Sequence, residues 1–157
     1  MPEPVVKNLI PAQTITADLL TVGEGLYGVA WGEFATLSGD AESKTWKVNT
    51  SSKSITDVNG QAVSVTNRAQ SSGSQRFLAL DFSGYDGKVK IQLYVSAQGA
   101  SERTIAIVDA LGGTVESVTT TASDMFMIEI IVDAGSIYKV TTSNGYNFHA
   151  INFIGLE

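Results

Sequence analysis

The chain has 157 residues, enough for one domain with its own hydrophobic core. Its formal net charge of −6 at pH 7 disfavours nucleic acid and anionic membrane surfaces as partners. The absence of cysteine excludes disulfide bonds and thiolate zinc sites. These properties predict one acidic domain that is stabilised by its core, with neither nucleic acid nor membrane as a partner.

The first residues predict an extended arm that precedes the folded domain. All three prolines of the chain lie there, at Pro2, Pro4 and Pro11. Proline lacks an amide hydrogen and fixes its backbone, so it is excluded from central strands. A signal peptide begins with basic residues and an apolar run, and this segment has neither, so none is predicted. We divide the chain into an arm over residues 1–13 and a folded domain over residues 14–157.

Alternation of apolar and polar residues dominates the rest of the chain and predicts β-strands. The runs with this alternation are 78–82, 89–95, 104–108, 126–132 and 147–154. Met127 and Ile131 add apolar side chains to the second face of their run, which predicts a strand that is covered on both faces. No segment combines a sustained helical period with capping residues, so the predicted class is all-β.

Short turn signals separate the runs. They are Asn59-Gly60, the segment 83–87, Gly112-Gly113, Ala134-Gly135 and Asn144-Gly145. Asn-Gly is the strongest of them, because both residues accept a positive φ. Short strands that are interrupted this often are typical of a β-sandwich or a barrel.

The sequence lacks the residue sets that common catalytic sites need. Its one histidine, His149, lies in the last alternating run, and no Gly-x-Ser-x-Gly motif accompanies it. One histidine without cysteine does not supply the usual ligands of a zinc site. The carboxylate pairs Asp81/Asp86 and Asp124/Glu129 lie beside turns, where acidic residues usually cap the chain. We therefore predict no enzymatic activity, no metal and no cofactor.

The second half of the chain carries a pattern of strand residues that resembles a known family. The pattern consists of an Asn-Gly turn at 59–60, an Arg-Thr-Ile strand running to Asp-x-x-Gly over 103–112, a Ser-Ile-Tyr segment at 136–138 and a Ser-Asn-Gly turn at 143–145. It resembles the accessory module of Bacteroidetes pectate lyases and related secreted polysaccharide-active proteins, over roughly residues 45–155. The resemblance implies a jelly-roll-type antiparallel β-sandwich that binds carbohydrate.

Two features depart from that family. Its members are normally C-terminal appendages of enzymes, whereas no catalytic segment is expected in this chain. The N-terminal strands, including residues 25–31, have no close parallel in the family.

Six side chains are candidates for ligand binding. They are Arg68, Arg76, Arg103, Tyr85, Tyr94 and Tyr146. The three arginines offer planar donors for uronate carboxylates or sugar hydroxyls, and the alternative is that they pair with carboxylates or backbone carbonyls and stabilise the sandwich. Tyr94 is predicted to face outward, and Tyr85 and Tyr146 to lie at loop tips. Trp31 and Trp46 are expected in the core.

Two functions remain open at this stage. The first is a non-catalytic structural or adhesive subunit of a surface assembly, of the bacteriophage decoration or fibre type, bound to neighbouring subunits through residues 1–11. The second is a stand-alone carbohydrate-binding module associated with polysaccharide degradation. Glycan binding is compatible with both, and both predict a virion, cell-surface or extracellular location.

Overall fold

The alternating runs form two antiparallel sheets that pack face to face. The computed structural model describes residues 6–157, and over this range the chain forms thirteen strands and one short 3-10 helix at Ala17–Leu19. The strands are β1 (Gln13–Thr16), β2 (Gly23–Leu26), β3 (Val29–Trp31), β4 (Ala35–Gly39), β5 (Trp46–Thr56), β6 (Ala62–Gln70), β7 (Arg76–Asp81), β8 (Lys88–Ala97), β9 (Arg103–Asp109), β10 (Thr114–Thr120), β11 (Phe126–Asp133), β12 (Ile137–Thr142) and β13 (Tyr146–Leu156). Within the same range, no helix has the length and apolar character needed to cross a membrane.

The order of the strands identifies the architecture. Sheet A has the order β11-β8-β13-β6-β5-β2, with β1 paired to β13 beside this path. Sheet B has the order β10-β9-β12-β7-β4-β3. From β6 to β13 every connection except that between β9 and β10 passes from one sheet to the other. The fold is a jelly-roll-type antiparallel β-sandwich, as the sequence predicts.

The predicted turns have two different roles. Asn59-Gly60 lies in the hairpin between β5 and β6, where Gly60 has a φ of 78°, and Gly112-Gly113 lies in the hairpin between β9 and β10. The signals at 83–87, 134–135 and 144–145 instead carry the chain between the sheets. The turn residues mark each reversal correctly but do not tell a hairpin from a crossing, because both need the same local backbone.

The core lies between the sheets and is rich in aromatic rings. The rings of Phe34, Phe82 and Phe153 contact one another with centroids 5.3 to 5.8 Å apart. Trp31 and Trp46 are buried, and their indole N–H groups donate to backbone carbonyls at 2.8 and 2.7 Å. The prediction that both tryptophans belong to the core is confirmed.

The prediction that the strand over 126–132 is covered on both faces is wrong. This strand is β11, at the edge of sheet A, and Ile128, Ile130 and Val132 face the core. Met127 and Ile131 point the other way and are 43% and 54% exposed. Single apolar side chains on a solvated face are common in folded proteins, so the sequence pattern did not require a covering layer.

The predicted arm is partly held by its own domain. Residues 1–5 lie outside the described residues. The backbone N–H and carbonyl of Asn8 bond to Asp86, at 2.9 Å to the carboxylate and 2.8 Å to the amide. Ile10 belongs to the hydrophobic core, and its carbonyl oxygen lies only 2.1 Å from where a Cβ on Gly155 would be. Glycine at 155 therefore lets residues 8–10 pack directly against β13.

This packing predicts a sharp difference between two apolar residues of the arm. Ile10 is 3% exposed and Val6 is 88% exposed. Ile10→Ala should lower the free energy of unfolding by about 2–5 kcal/mol, because it leaves a cavity in the core. The matched variant Val6→Ala should change it by less than about 0.5 kcal/mol. Urea denaturation measures both, and equal effects of the two changes would contradict docking of residues 8–10.

Candidate functional site

The structure does not bring the six predicted residues together. Arg68 and Tyr94 lie on the outer face of sheet A; Arg76, Arg103 and Tyr146 lie at one end of the sandwich; and Tyr85 lies at the opposite end. Their surroundings differ in burial and in hydrogen bonding, and these differences separate structural side chains from those that are available to a ligand.

Two of the arginines bond to backbone carbonyls, as the alternative interpretation expects. Arg103 is buried, and one of its terminal nitrogens donates to the carbonyl of Gly145 at 2.8 Å. Its remaining donors bond to Ser101. Arg76 donates to the carbonyls of Thr45 and Ser74 at 2.9 and 3.1 Å. Both guanidinium groups therefore hold neighbouring connections in place.

The prediction that Tyr146 lies at a loop tip is wrong. Tyr146 is the first residue of β13 and is fully buried. Its hydroxyl donates to the carbonyl of Arg103 and also bonds to the hydroxyl of Thr120. The turn at Asn144-Gly145 ends one residue earlier than the sequence suggests, because Tyr146 already pairs with Ala97 across sheet A.

Tyr85 is also held by its neighbours. Its hydroxyl donates to Glu33 at 2.7 Å, and this hydrogen bond raises the pKa of Tyr85 above its ordinary value. Its ring packs edge-on against Phe34, with centroids 5.5 Å apart. Together with Asp81 and Ser83, these residues line a cavity of about 230 Å³.

A continuous chain of hydrogen bonds between side chains crosses the outer face of sheet A. It runs Arg68–Asn49–Gln70–Asn147–Ser96–His149, with successive donor–acceptor distances of 2.8, 2.9, 2.9, 3.1 and 2.8 Å. The four members from Gln70 to His149 are buried, whereas Arg68 and Asn49 are half-exposed. We call these six residues, together with Tyr94 and Lys53, the polar face.

The polar face exists because of an irregularity in β13. The pairing of β13 with β8 shifts between Phe148 and Ala150, so His149 is the extra residue of a β-bulge. At the same point β6 leaves β13, and β1 pairs with residues 150–153 instead. The bulge places the His149 ring on the outer side of the sheet, where it meets Ser96 at 2.8 Å.

The far end of the β5–β6 hairpin lies over the same face. The carbonyl of Thr56 accepts hydrogen bonds from the Tyr94 hydroxyl at 3.3 Å and from the Asn152 amide at 2.8 Å. The N–H of Val58 donates to the hydroxyl of Thr14 at 3.0 Å. These contacts join the hairpin to β8, β13 and β1, and they hold the half-exposed Tyr94 ring in a defined position.

The polar face carries positive charge beside a neutral histidine. Burial, followed by the positive charges of Lys53 and Arg68, lowers the pKa of His149 from 6.5 to about 4. Within residues 6–157, His149 Nδ1 is buried without a hydrogen-bond partner. The ion pairs found in that range are Lys47–Glu24 and Lys88–Asp133, so neither Lys53 nor Arg68 pairs with a described carboxylate.

A second surface feature is an apolar cavity of about 390 Å³ between the β9–β10 turn and the start of β12. Leu111 and Ile137 line it and are exposed to solvent. The Asp109 carboxylate also lines it, but it accepts hydrogen bonds from the N–H groups of Leu111 and Gly113 and so holds the turn. This cavity offers apolar contact and, unlike the polar face, no network of side-chain amides.

The sequence analysis missed most of the polar face. Asn49, Gln70, Asn147, Ser96 and Lys53 were not candidates, although polar residues occupy alternate positions on their strands. That alternation marks a solvated face, but it does not say which strands are neighbours. The hydrogen-bonded chain depends on neighbours that are far apart in the sequence.

Comparisons with known proteins identify the fold. No protein-family model matches the chain, and no curated protein matches its sequence. The K2 cleaved adhesin domain of Lys-gingipain is similar, with 18% identity and a TM-score of 0.53 over 90% of this chain and 96% of that chain. An exo-β-1,3-galactanase from Phanerochaete chrysosporium, solved with β-1,3-galactotriose, has 12% identity and a TM-score of 0.50 over 92% of this chain and 30% of that chain. At these identities the similarity shows the shared fold.

The environment of His149 predicts how the stability depends on pH. Above about pH 6.5 the imidazole is neutral in both the folded and the unfolded chain. As the pH falls from 6.5 towards about 4, the unfolded chain binds a proton that the folded chain does not. The free energy of unfolding should therefore decrease by up to about 3 kcal/mol over this interval.

The variant His149→Gln separates this contribution from the titration of carboxylates. The variant retains the carboxylates but lacks the imidazole, so its stability should fall less between pH 6.5 and 4 than that of the wild type. Urea denaturation at a series of pH values gives both curves. If the two curves run parallel over this interval, the burial of a neutral His149 is wrong.

Proposed function

We propose that this protein is a non-catalytic β-sandwich module that binds glycan on its polar face. The observation that carries the proposal is the hydrogen-bonded chain that ends at the half-exposed Arg68 and Asn49, with the Tyr94 ring close by on the same face. Sugar hydroxyls both donate and accept hydrogen bonds, and side-chain amides and a guanidinium group match them. Of the six predicted binding residues, the proposal uses Arg68 and Tyr94.

The buried part of the chain prepares the exposed part for binding. Gln70 accepts a hydrogen bond from Asn49 and donates one to Asn147, and both Gln70 and Asn147 are buried. Asn49 in turn accepts from Arg68. Side chains that are already oriented by such bonds lose less conformational entropy when a ligand binds.

Tyr94 supplies the apolar part of the proposed site. A pyranose ring presents C–H groups on one side, and these pack well against an aromatic ring. The hydroxyl of Tyr94 is bonded to the carbonyl of Thr56. The orientation of the ring is therefore set before a sugar arrives, which favours stacking in a single geometry.

The shared fold supports this choice of ligand. The galactanase with a similar fold was solved with β-1,3-galactotriose, and the gingipain domain is described as an adhesin. Neutral β-galactan is therefore a suitable first probe. A place beside polysaccharide-degrading enzymes at a cell surface or outside the cell, as the resemblance to the pectate lyase module implies, belongs to the same proposal.

A second proposal retains a role as a subunit of a surface assembly. Val6 is 88% exposed although Asn8 and Ile10 are bound to the domain. The segment before Asn8 therefore presents an apolar side chain that a neighbouring subunit, in a virion decoration, a fibre or a cell-surface layer, would cover.

The first proposal predicts that binding depends on the polar face. Isothermal titration calorimetry with a panel of plant and bacterial oligosaccharides should find a ligand whose affinity drops at least about fivefold in Tyr94→Ala, because the stacking contact is lost. The matched control Tyr27→Ala removes a tyrosine that is 39% exposed elsewhere and should bind normally. The oligosaccharide should be recovered unchanged. Loss of binding in the control alone, or cleavage of the sugar, would contradict the proposal.

The second proposal predicts that assembly depends on residues 1–7. Removing them leaves Asn8 and Ile10 in place, so the melting temperature should change little. The native mass, measured by light scattering, should then fall from that of an oligomer to that of a single chain. If the full chain is already monomeric at the concentrations of the assay, or if the truncated chain still associates, the arm does not mediate assembly.

A further inference from the structure

The charges of the polar face allow the class of glycan to be narrowed, an inference that rests on the proposed function. The whole chain has 16 acidic and 10 basic residues, so most cations on its surface lie near a carboxylate. Lys53 and Arg68 differ, because no carboxylate of the described range lies within ion-pair distance of either. Both act electrostatically on the same buried group, His149, and so lie on the same part of the face.

The acidic residues on the neighbouring strands and turns are occupied by other groups. Asp18 accepts the backbone N–H groups at 66 and 67, and Asp57 accepts those at 59 and 61. Glu24 pairs with Lys47, and Glu129 accepts a hydrogen bond from the side chain at 92. These carboxylates satisfy the fold, so they do not neutralise the two cations.

The orientation of Arg68 leaves its most useful edge available. Its Nε donates to Asn49 at 2.8 Å, which holds the guanidinium plane, while its two terminal nitrogens make no hydrogen bond to any of residues 6–157. Two parallel N–H groups on one edge match the two oxygens of a carboxylate. Lys53 adds a second, flexible charge to the same region.

The buried end of the network also favours an anion. His149 Nδ1 lacks a partner among the described residues, and the neighbouring cations oppose protonation of the ring. A negative charge that is bound beside Lys53 and Arg68 would offset their repulsion of a proton. The histidine therefore reports on the charge of whatever occupies the face.

We propose that Arg68 and Lys53 bind the carboxylate of a uronic acid, so that the ligand of the polar face is an acidic glycan. The guanidinium edge takes the two carboxylate oxygens, Lys53 provides a second positive charge, and Tyr94 lies on the same face to pack against the sugar ring. Neutral sugars would satisfy the amides but would leave both cations without a counter-charge.

The experiment compares four oligosaccharides of similar length on the full chain: oligogalacturonate, its methyl ester, neutral β-1,3-galactotriose and a sulfated galactan fragment. The methyl ester keeps the sugar backbone but removes the charge. Oligogalacturonate should bind at least about tenfold more tightly than its methyl ester, since hydrogen bonds to charged groups are the stronger ones. The difference should shrink as salt is added.

Variants locate the effect on the polar face. Lys53→Gln and Arg68→Gln should each remove most of the preference for oligogalacturonate over its ester. The matched control Lys139→Gln removes the same charge from an exposed position on sheet B and should keep the preference. Lys53 has no hydrogen bond to lose among the described residues, so its variant tests the inference even if Arg68→Gln lowers stability.

The single histidine gives an independent readout. Its NMR titration should show a higher pKa when oligogalacturonate is bound and no change with the methyl ester. Equal affinity for the acid, the ester and neutral galactotriose would overturn the carboxylate site but leave glycan binding standing. Binding of the sulfated fragment alone would overturn the choice of a carboxylate. If none of the four sugars nor any of the wider panel binds, the proposed function itself fails.

Discussion

The backbone pairing of β13 holds sheet A together and determines where its polar side chains lie. β13 pairs with β8 along most of its length, and on its other side it pairs first with β6 and then with β1. Antiparallel pairing fixes which side chains are neighbours. The single-residue bulge at His149 is compatible with both partners, because it marks the point at which β6 departs. Sheet A and its outer face therefore depend on this one strand.

A buried chain of polar side chains tightens this constraint. Buried amides are costly unless they are paired, so the network from Gln70 to His149 disfavours any other register of β6, β13 and β8. The same bonds orient Asn49 and Arg68 at the solvent end. Specificity of folding and readiness to bind thus come from the same contacts, which places a rigid surface on the sheet, where loops would be more mobile.

Much of the fold could be predicted from the sequence, but little of the site could. Alternation located the main strands because burial of one sheet face imposes a period of two. It did not show that Met127 and Ile131 lie at an open edge or that Tyr146 faces the core, since both depend on which strands are neighbours. Arg68 and Arg103 have the same chemistry in the sequence. Burial among carbonyls in one case and exposure beside an amide in the other became visible only with the pairing register.

The close approach of Ile10 to Gly155 has a consequence for how the domain can be built into larger proteins. The two ends of the folded domain lie side by side, so chain can enter and leave at one point on the surface. A domain of this shape can be inserted into an exposed loop of a host protein without separating the two sides of that loop. It can equally be joined end to end and opened at a solvated tip such as Leu111, which is 97% exposed. The geometry thus permits domain insertion and circular permutation as well as attachment in tandem.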